Sequence, residues 1–218
     1  MLPELLDALS ESYYILDIEG VRQFSIENHY FDTEHYLLFI DHVNGKKNRY
    51  KIRFRTYVES NTSYMEIKHK NNKKKVNKYR EPQDKFEEKI NGNFKYLTFE
   101  KTSINPEHLE LKLKVCYQRI TLLHKSMPEK LTLDYDLYFK NSVNDNDLRN
   151  LAIAEVKYPK KNQNSQFSEV IGEYGIKPDS FSKYCIGTVL TVPDVKYNRL
   201  KKKLISINKI CKNNSGQS

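Results

Sequence analysis

Cysteine is scarce in this chain: Cys116, Cys185 and Cys211 are its 3 among 218 residues, they lie far apart, and none has a second Cys or a His at zinc-ligand spacing. That excludes a disulfide framework and makes a reducing compartment the plain expectation. Long apolar runs are missing too. The apolar opening at residues 2–6 is broken by Pro3 and Glu4, and no later stretch approaches membrane length. Neither a signal peptide nor a spanning helix is expected, and the expected location is cytoplasmic. Internal repeats and linkers rich in Gly, Pro or Ser are also absent, which predicts a single domain over residues 1–210 and a polar, disordered tail at 211–218. Acidic residues are in deficit, 28 Asp and Glu against 37 Lys and Arg, for a formal charge of +9. The excess favours an anionic partner, whether nucleic acid, phosphorylated metabolite or membrane surface, without choosing among them.

What is present is patterned. Residues 2–9 carry apolar side chains at helical spacing and predict a short opening helix. Residues 28–31, 49–58 and 64–70 then read as strands, and Asn71-Asn72 predicts a tight turn into a further strand at 76–80. Pro82, followed by Phe86 and Ile90, predicts a helix that stops near Asn91-Gly92, and residues 106–113 predict another. Strands are predicted at 115–123, 131–139 and 151–158, separated by polar loops at 126–129 and 141–150, and helices at 165–172, 181–190 and 195–210. Short sequential strands with interspersed helices make the expected fold class α+β, with an antiparallel sheet or barrel.

Between Lys51 and Arg80, basic side chains recur at alternate positions: Lys51, Arg53, Arg55, then Lys68 and Lys70, then Lys78 and Arg80. Strand geometry turns alternate side chains to one face, so these form rows, with Ile52, Phe54 and Ile67 on the other side. The same parity groups Glu66 with Lys68, Tyr117 with Arg119, Thr132 with Asp134 and Glu155 with Lys157. Such a face is either the wet side of a sheet or a polyanion site. Arg is concentrated on it, which suits bidentate capture of phosphate oxygens. The carboxylates Glu66, Asp134 and Glu155 among the bases could hold a hard divalent cation between protein and phosphates.

The motifs Tyr30-Phe31-Asp32-Thr33, Asp41-His42-Val43-Asn44-Gly45, Arg49-Tyr50-Lys51-Ile52-Arg53-Phe54-Arg55-Thr56-Tyr57 and Met65-Glu66-Ile67-Lys68 closely resemble the VTC domain, the polyphosphate polymerase branch of the triphosphate tunnel metalloenzymes. Tyr117-Gln118-Arg119, Leu131-Thr132-Leu133-Asp134, Ala154-Glu155-Val156-Lys157 and Phe181-Ser182-Lys183-Tyr184 follow in family order, so the resemblance spans roughly residues 26–190. It implies an antiparallel β-barrel tunnel with flanking helices and a C-terminal helix. The implied activity is transfer of the γ-phosphoryl group of ATP to a growing inorganic polyphosphate chain, with Mn or Mg as cofactor. Carried over residue by residue, Arg53 and Arg55 would grip phosphates, Lys68, Lys78 and Arg80 would extend the cradle, Arg119 would reach the transferred group and Lys183 would add a cation. Tyr117 would stack the adenine, Lys130 and Ser182 would contact substrate, and Glu155 would ligate the metal.

The resemblance also carries departures. The family usually opens on a strand with alternating Arg, Glu and Lys, which this sequence lacks; the resemblance implies either a start truncated ahead of Met1 or the loss of one barrel stave. Lys130 stands where an Arg is usual and Ser180 where a Lys is common. The alternatives to a polymerase are a triphosphatase acting on inorganic or nucleoside triphosphate and a non-catalytic polyphosphate-binding module. Nucleic acid is not expected as partner, because aromatics are not interleaved with the basic rows. Any coupling to a membrane would need another chain.

Overall fold

The computed structural model describes residues 2–73, 75–157 and 165–215. Its elements in chain order are α1 (Leu2–Leu9), β1 (Tyr13–Ile15), β2 (Gln23–Thr33), α2 (Leu37–Val43), β3 (Arg49–Tyr57), β4 (Thr62–Lys70), β5 (Val76–Gln83), α3 (Gly92–Thr102), β6 (Leu109–His124), β7 (Lys130–Lys140), β8 (Asp145–Leu148), β9 (Ile153–Lys157), α4 (Gln166–Glu173), α5 (Lys183–Thr191) and α6 (Lys201–Ser215). The strands form one antiparallel sheet in the order β5-β4-β3-β2-β6-β7-β8, with β1 on β6 beyond the end of β2 and β9 on β7 beyond β8. The fold is α+β, as expected. Among the described residues β5 and β9 are not paired with each other, so the sheet is curled but not closed.

Several expected elements differ. The helix expected from Pro82 is instead the end of β5, where Pro82 pairs with Tyr64. Proline is tolerated there because β5 is an edge strand with one side free of ladder bonds. Phe86 and Ile90 mimic helical spacing, yet Phe86 is held by stacking on His29 at 3.9 Å, and the helix begins only at Gly92. Residues 106–113 are helical for a single 3-10 turn, after which Leu109, Leu111, Leu113 and Val115 run on as strand. That alternation is a strand signal overruled by the proline before it. The expected loop at 141–150 contains β8, and α2 and β1 were not anticipated. The helix expected from 195 starts at Lys201 and runs to Ser215, into the expected tail; residues 216–218, and Tyr158 of an expected strand, lie outside the described residues.

One face of the sheet is concave, and it divides into a basic half and an apolar half. The apolar half packs Ile26, Leu113, Val115, Leu137 and Phe139 against Tyr184 and Ile186 of α5 and Leu204 and Ile207 of α6. Helix α5 lies so close that a Cβ on Gly187 would sit 2.3 Å from Phe139 Cδ1, so only glycine fits. The convex face is covered in two places: Ile52, Phe54, Met65 and Ile67 by Ile90 and Phe94, and Leu122, Leu131 and Leu133 by Leu9 and Phe167. A bulge in β7 sets which residues look inward. The register of β7 against β6 shifts between Cys116 and Gln118, and Asp136 takes a left-handed φ of 52°. The extra residue reverses the alternation, so Thr132 and Asp134 before it and Leu137 and Phe139 after it share the concave side.

Asp32 fixes the apolar half to the strands. Its carboxylate is fully buried and accepts the backbone N–H groups of Leu38 and Phe39 at the start of α2 and the Tyr184 hydroxyl of α5 at 2.5 Å. Burial pushes its pKa up against these hydrogen bonds. One carboxylate thereby aligns β2, α2 and α5.

Candidate functional site

Pairing of β2, β3, β4 and β5 arranges the basic half in cross-strand rungs. Tyr30, Arg53, Glu66 and Arg80 are directly opposite one another in one rung, and Asn28, Arg55 and Tyr64 in the next. On the other side of β2, Tyr117 and Arg119 of β6 face inward, and Arg119 pairs with Asp134 of β7.

Arg53 is 6% exposed and Arg55 7%, so neither points to bulk water. Arg53 donates from Nε and Nη2 to Glu66 Oε2 at 2.9 and 2.6 Å and from Nη1 to the Tyr30 hydroxyl at 3.2 Å. Arg55 donates to Asn28 Oδ1 at 2.8 Å and to the Tyr117 hydroxyl at 3.0 Å. Arg119 is bidentate to Asp134 at 2.6 and 2.7 Å, and Lys183, at the start of α5, reaches the same carboxylate at 2.5 Å. Tyr117 is the common centre. Its hydroxyl takes Arg55, while Lys183 Nζ lies 4.5 Å and Arg119 Cζ 5.4 Å from its ring centroid. Arg53, Arg55, Arg119 and Lys183 therefore converge, each oriented by a neighbour.

Two carboxylates hold this charge together. Glu66 is fully buried and, besides Arg53, takes Lys78 at 2.5 Å and Arg80 at 3.4 Å on Oε1. Burial alone would raise its pKa; Arg53, then Arg55 and Lys78, outweigh it and hold the carboxyl down to about 2. Asp134 is likewise lowered against burial by Arg119 and Lys183. The sequence offers both as metal ligands, and in the structure both are occupied by protein cations. Lys68 makes no ion pair among the described residues; Arg53 foremost, then burial, bring its pKa down to about 7.

The remaining sequence-derived candidates are placed differently. Arg80 packs its guanidinium 3.2 Å from the Tyr64 ring centroid. Lys130 is exposed at the start of β7. Ser182 caps α5, accepting the Cys185 N–H at 3.2 Å, so its hydroxyl has a structural task. Tyr117 is 3% exposed with its ring already beside two cations. Asn28 and Tyr30 also belong to the basic half, beside the Lys51 of the alternating row, and the sequence motifs do not mark them as site residues. Parity on a single strand could have flagged them, but their partners are set by pairing between strands distant in sequence.

Among the described residues no three His, Cys, Asp or Glu side chains gather, so there is no all-protein metal cage. Glu155 is half-exposed, with Lys157 Nζ at 3.5 Å, and lies opposite Thr132, whose buried hydroxyl has no hydrogen-bond partner among the described residues. One accessible carboxylate beside an orphaned hydroxyl fits a hard divalent cation that takes its other ligands from substrate phosphates and water. The Glu155 charge acts on Lys68, opposing the lowering of its pKa.

The family model of the VTC domain matches residues 1–192. Among curated proteins, none matches the sequence. Among solved structures, a Bacillus halodurans protein provisionally named an adenylate cyclase aligns with a TM-score of 0.50 over 83% of this chain and 86% of its own, at 13% identity. A Hippeastrum protein provisionally named an adenylyl cyclase, with a dominant triphosphatase activity, aligns with a TM-score of 0.44 over 87% and 90%, at 14% identity. At such identity the likeness to the first is one of fold. The family match extends over most of the chain, with Arg53, Arg55, Arg119, Glu155 and Lys183 inside it, and the chain belongs to the VTC domain family.

Proposed function

We propose that the protein is an ATP-dependent inorganic polyphosphate polymerase. The observation that carries this reading is the convergence of Arg55, Arg119 and Lys183 around Tyr117 on the concave side of the sheet, with Arg53 next to Arg55 on the same face of β3. Phosphoryl transfer asks a protein mainly to hold donor and acceptor in line and to neutralise the equatorial oxygens. In the reaction, a terminal oxygen of the acceptor chain bonds to the γ-phosphorus as the bridge to the β-phosphate breaks and ADP leaves. Arg53 and Arg55 hold the donor phosphates, with Lys68, Lys78 and Arg80 alongside. Arg119 and Lys183 face the transferred group from β6 and α5. Their bonds to Asp134 preset the direction of the donors, so little reorganisation is needed during transfer. A bound Mn or Mg, held by Glu155 with Thr132 beside it, would supply additional charge neutralisation on the phosphates.

Incubation of the purified protein with ATP and Mn, resolved on a polyacrylamide gel, tests the proposal. A ladder of polyphosphate is the expected product. Release of orthophosphate without polymer would instead make it a triphosphatase, and binding without turnover a polyphosphate-binding module.

Lys68 gives a pH prediction. Its folded pKa, about 7, lies below the ordinary lysine value, so between these limits the unfolded chain carries a proton that the folded chain has released. Stability of the unliganded protein is therefore expected to rise with pH from about 7 toward about 10.4 through this group. A bound polyanion favours the charged form and reverses the effect. Tripolyphosphate binding at about pH 8 is expected to take up protons, detectable by calorimetry in buffers of different ionisation enthalpy. Absence of proton uptake would show that Lys68 does not face the ligand.

A further inference from the structure

Beyond the Arg53 rung, the β3–β4 end of the sheet carries more positive charge than the proposed cradle uses. Neither residues 42–58 nor residues 67–80 contain an Asp or Glu. Lys51 pairs with Lys68 and Arg49 with Lys70, like charges directly opposite in register, where a sheet is normally destabilised. In the Arg53 rung Glu66 forms ion pairs that relieve that repulsion; in these two rungs no carboxylate pairs directly with a cation among the described residues. Asp41 of α2, at the edge of this region, is engaged by Lys46 at 3.0 Å. Among the described residues, Arg49, Lys51 and Lys70 make no ion pair within 4.0 Å. Arg49 bonds the Lys46 carbonyl through Nη1 at 2.8 Å, and its buried Nε–H has no hydrogen-bond partner among the described residues.

These cations meet at one place. His42 of α2 feels Lys51, Arg49 and Lys70 together, and burial first, then those charges, bring its pKa down to about 2. The imidazole is thus neutral and does not offset or add to the charge. Burial foremost, then Arg53 and Arg49, also lower the pKa of Lys51. A cluster of cations with an orphaned guanidinium N–H is completed by an oxyanion from outside the chain.

We propose that Arg49, Lys51 and Lys70 form a second phosphate site, occupied by a distal part of a linear phosphate chain whose other end lies at Arg53 and Arg55. Arg55, Arg53, Lys51 and Arg49 alternate along one face of β3, so the row from Arg55 to Arg49 is about 20 Å long. A triphosphate seated at the arginines does not reach its far end, whereas a longer chain lying along the strand does. The site therefore reads chain length. The inference rests on the phosphate-binding reading of the cradle.

Binding of tripolyphosphate and of long-chain polyphosphate to the full chain tests it, with wild type, Arg49→Gln/Lys70→Gln, Lys70→Gln alone in case the double variant misfolds, and Lys209→Gln/Lys212→Gln as a control that removes equal charge from α6. The double variant is expected to lose about 10- to 100-fold in affinity for the long chain, the scale of lost charge-assisted hydrogen bonds, with a much smaller loss for tripolyphosphate. Lys70→Gln should show the same length-selective loss at smaller size, and the control should show none. Equal losses for both lengths, or no loss, would overturn the proposal. Orthophosphate binding as tightly as the long chain would replace it with a free-anion site, and an oligonucleotide suffering the larger loss would assign the surface to nucleic acid. If wild type binds neither phosphate, the reading of the cradle itself fails, an outcome distinct from failure of this second site.

Discussion

Glu66→Ala is expected to destabilise the protein by about 3 to 5 kcal/mol, the scale observed when one partner of a buried ion pair is removed. Lys78 and Arg80 are more than a third exposed along their side chains and can recover water, but Arg53 is 6% exposed and would keep its charge without its counterion. Glu66→Gln keeps an acceptor for Arg53 and is expected to cost less. Urea denaturation of both variants measures the difference. The acid limb provides a second reading. The folded pKa of Glu66, about 2, lies below the unfolded value, so its contribution is present above roughly pH 4.3 and is lost as pH falls through about 2. Glu66→Ala should lack that part of the acid transition. Added tripolyphosphate should stabilise Glu66→Ala more than wild type, because an external polyanion then supplies the missing charge. Wild-type stability in Glu66→Ala would show that the ion pairs around it carry no net energy.

Arg119→Ala is expected to reduce kcat for polyphosphate formation by about 100- to 1000-fold, the cost of removing one preorganised donor aimed at charge developing in the transition state. Asp134 remains paired with Lys183 at 2.5 Å, so the fold should survive, and a circular dichroism melt can confirm it. Arg119→Lys should recover only a small part, since an ammonium cannot reproduce the two parallel bonds that the guanidinium makes to Asp134. Steady-state kinetics separate the possibilities. A rise in KM with kcat unchanged would mean that Arg119 binds the ground state alone, and the role assigned to it at the transferred group would be wrong.

The rows of basic residues were legible because strand geometry has a short period: Arg53 and Arg55 must share a face once residues 49–57 are a strand. The same rule marks Leu109 to Val115 as strand, but its alternation follows directly on the helix-start signal of Pro106, which the fold uses for a single 3-10 turn only. Pro82 misled similarly, since whether a proline can sit in a strand depends on its being at an edge, a property of the assembled sheet. Helix α2 was missed because its cap is not local. Tyr36 precedes it in a left-handed conformation with no side-chain cap, and the end of β2 caps it instead: Thr33 accepts the Leu37 N–H and Asp32 those of Leu38 and Phe39.

By itself, the sequence determined the charge, the alternation, the strand faces and the order of motifs that marks the family, all of which depend on residues close together along the chain. Tertiary structure decided which charges would neutralise one another. Glu66 and Asp134 resemble Glu155 in a one-dimensional reading, yet the first two are buried among cations and only Glu155 is left half-exposed. Tyr117 became the meeting point of Arg55, Arg119 and Lys183 through strand pairing, the β7 bulge and the docking of α5. The reason is that a charge's effect depends on distance and burial in space, and residues far apart in sequence set both.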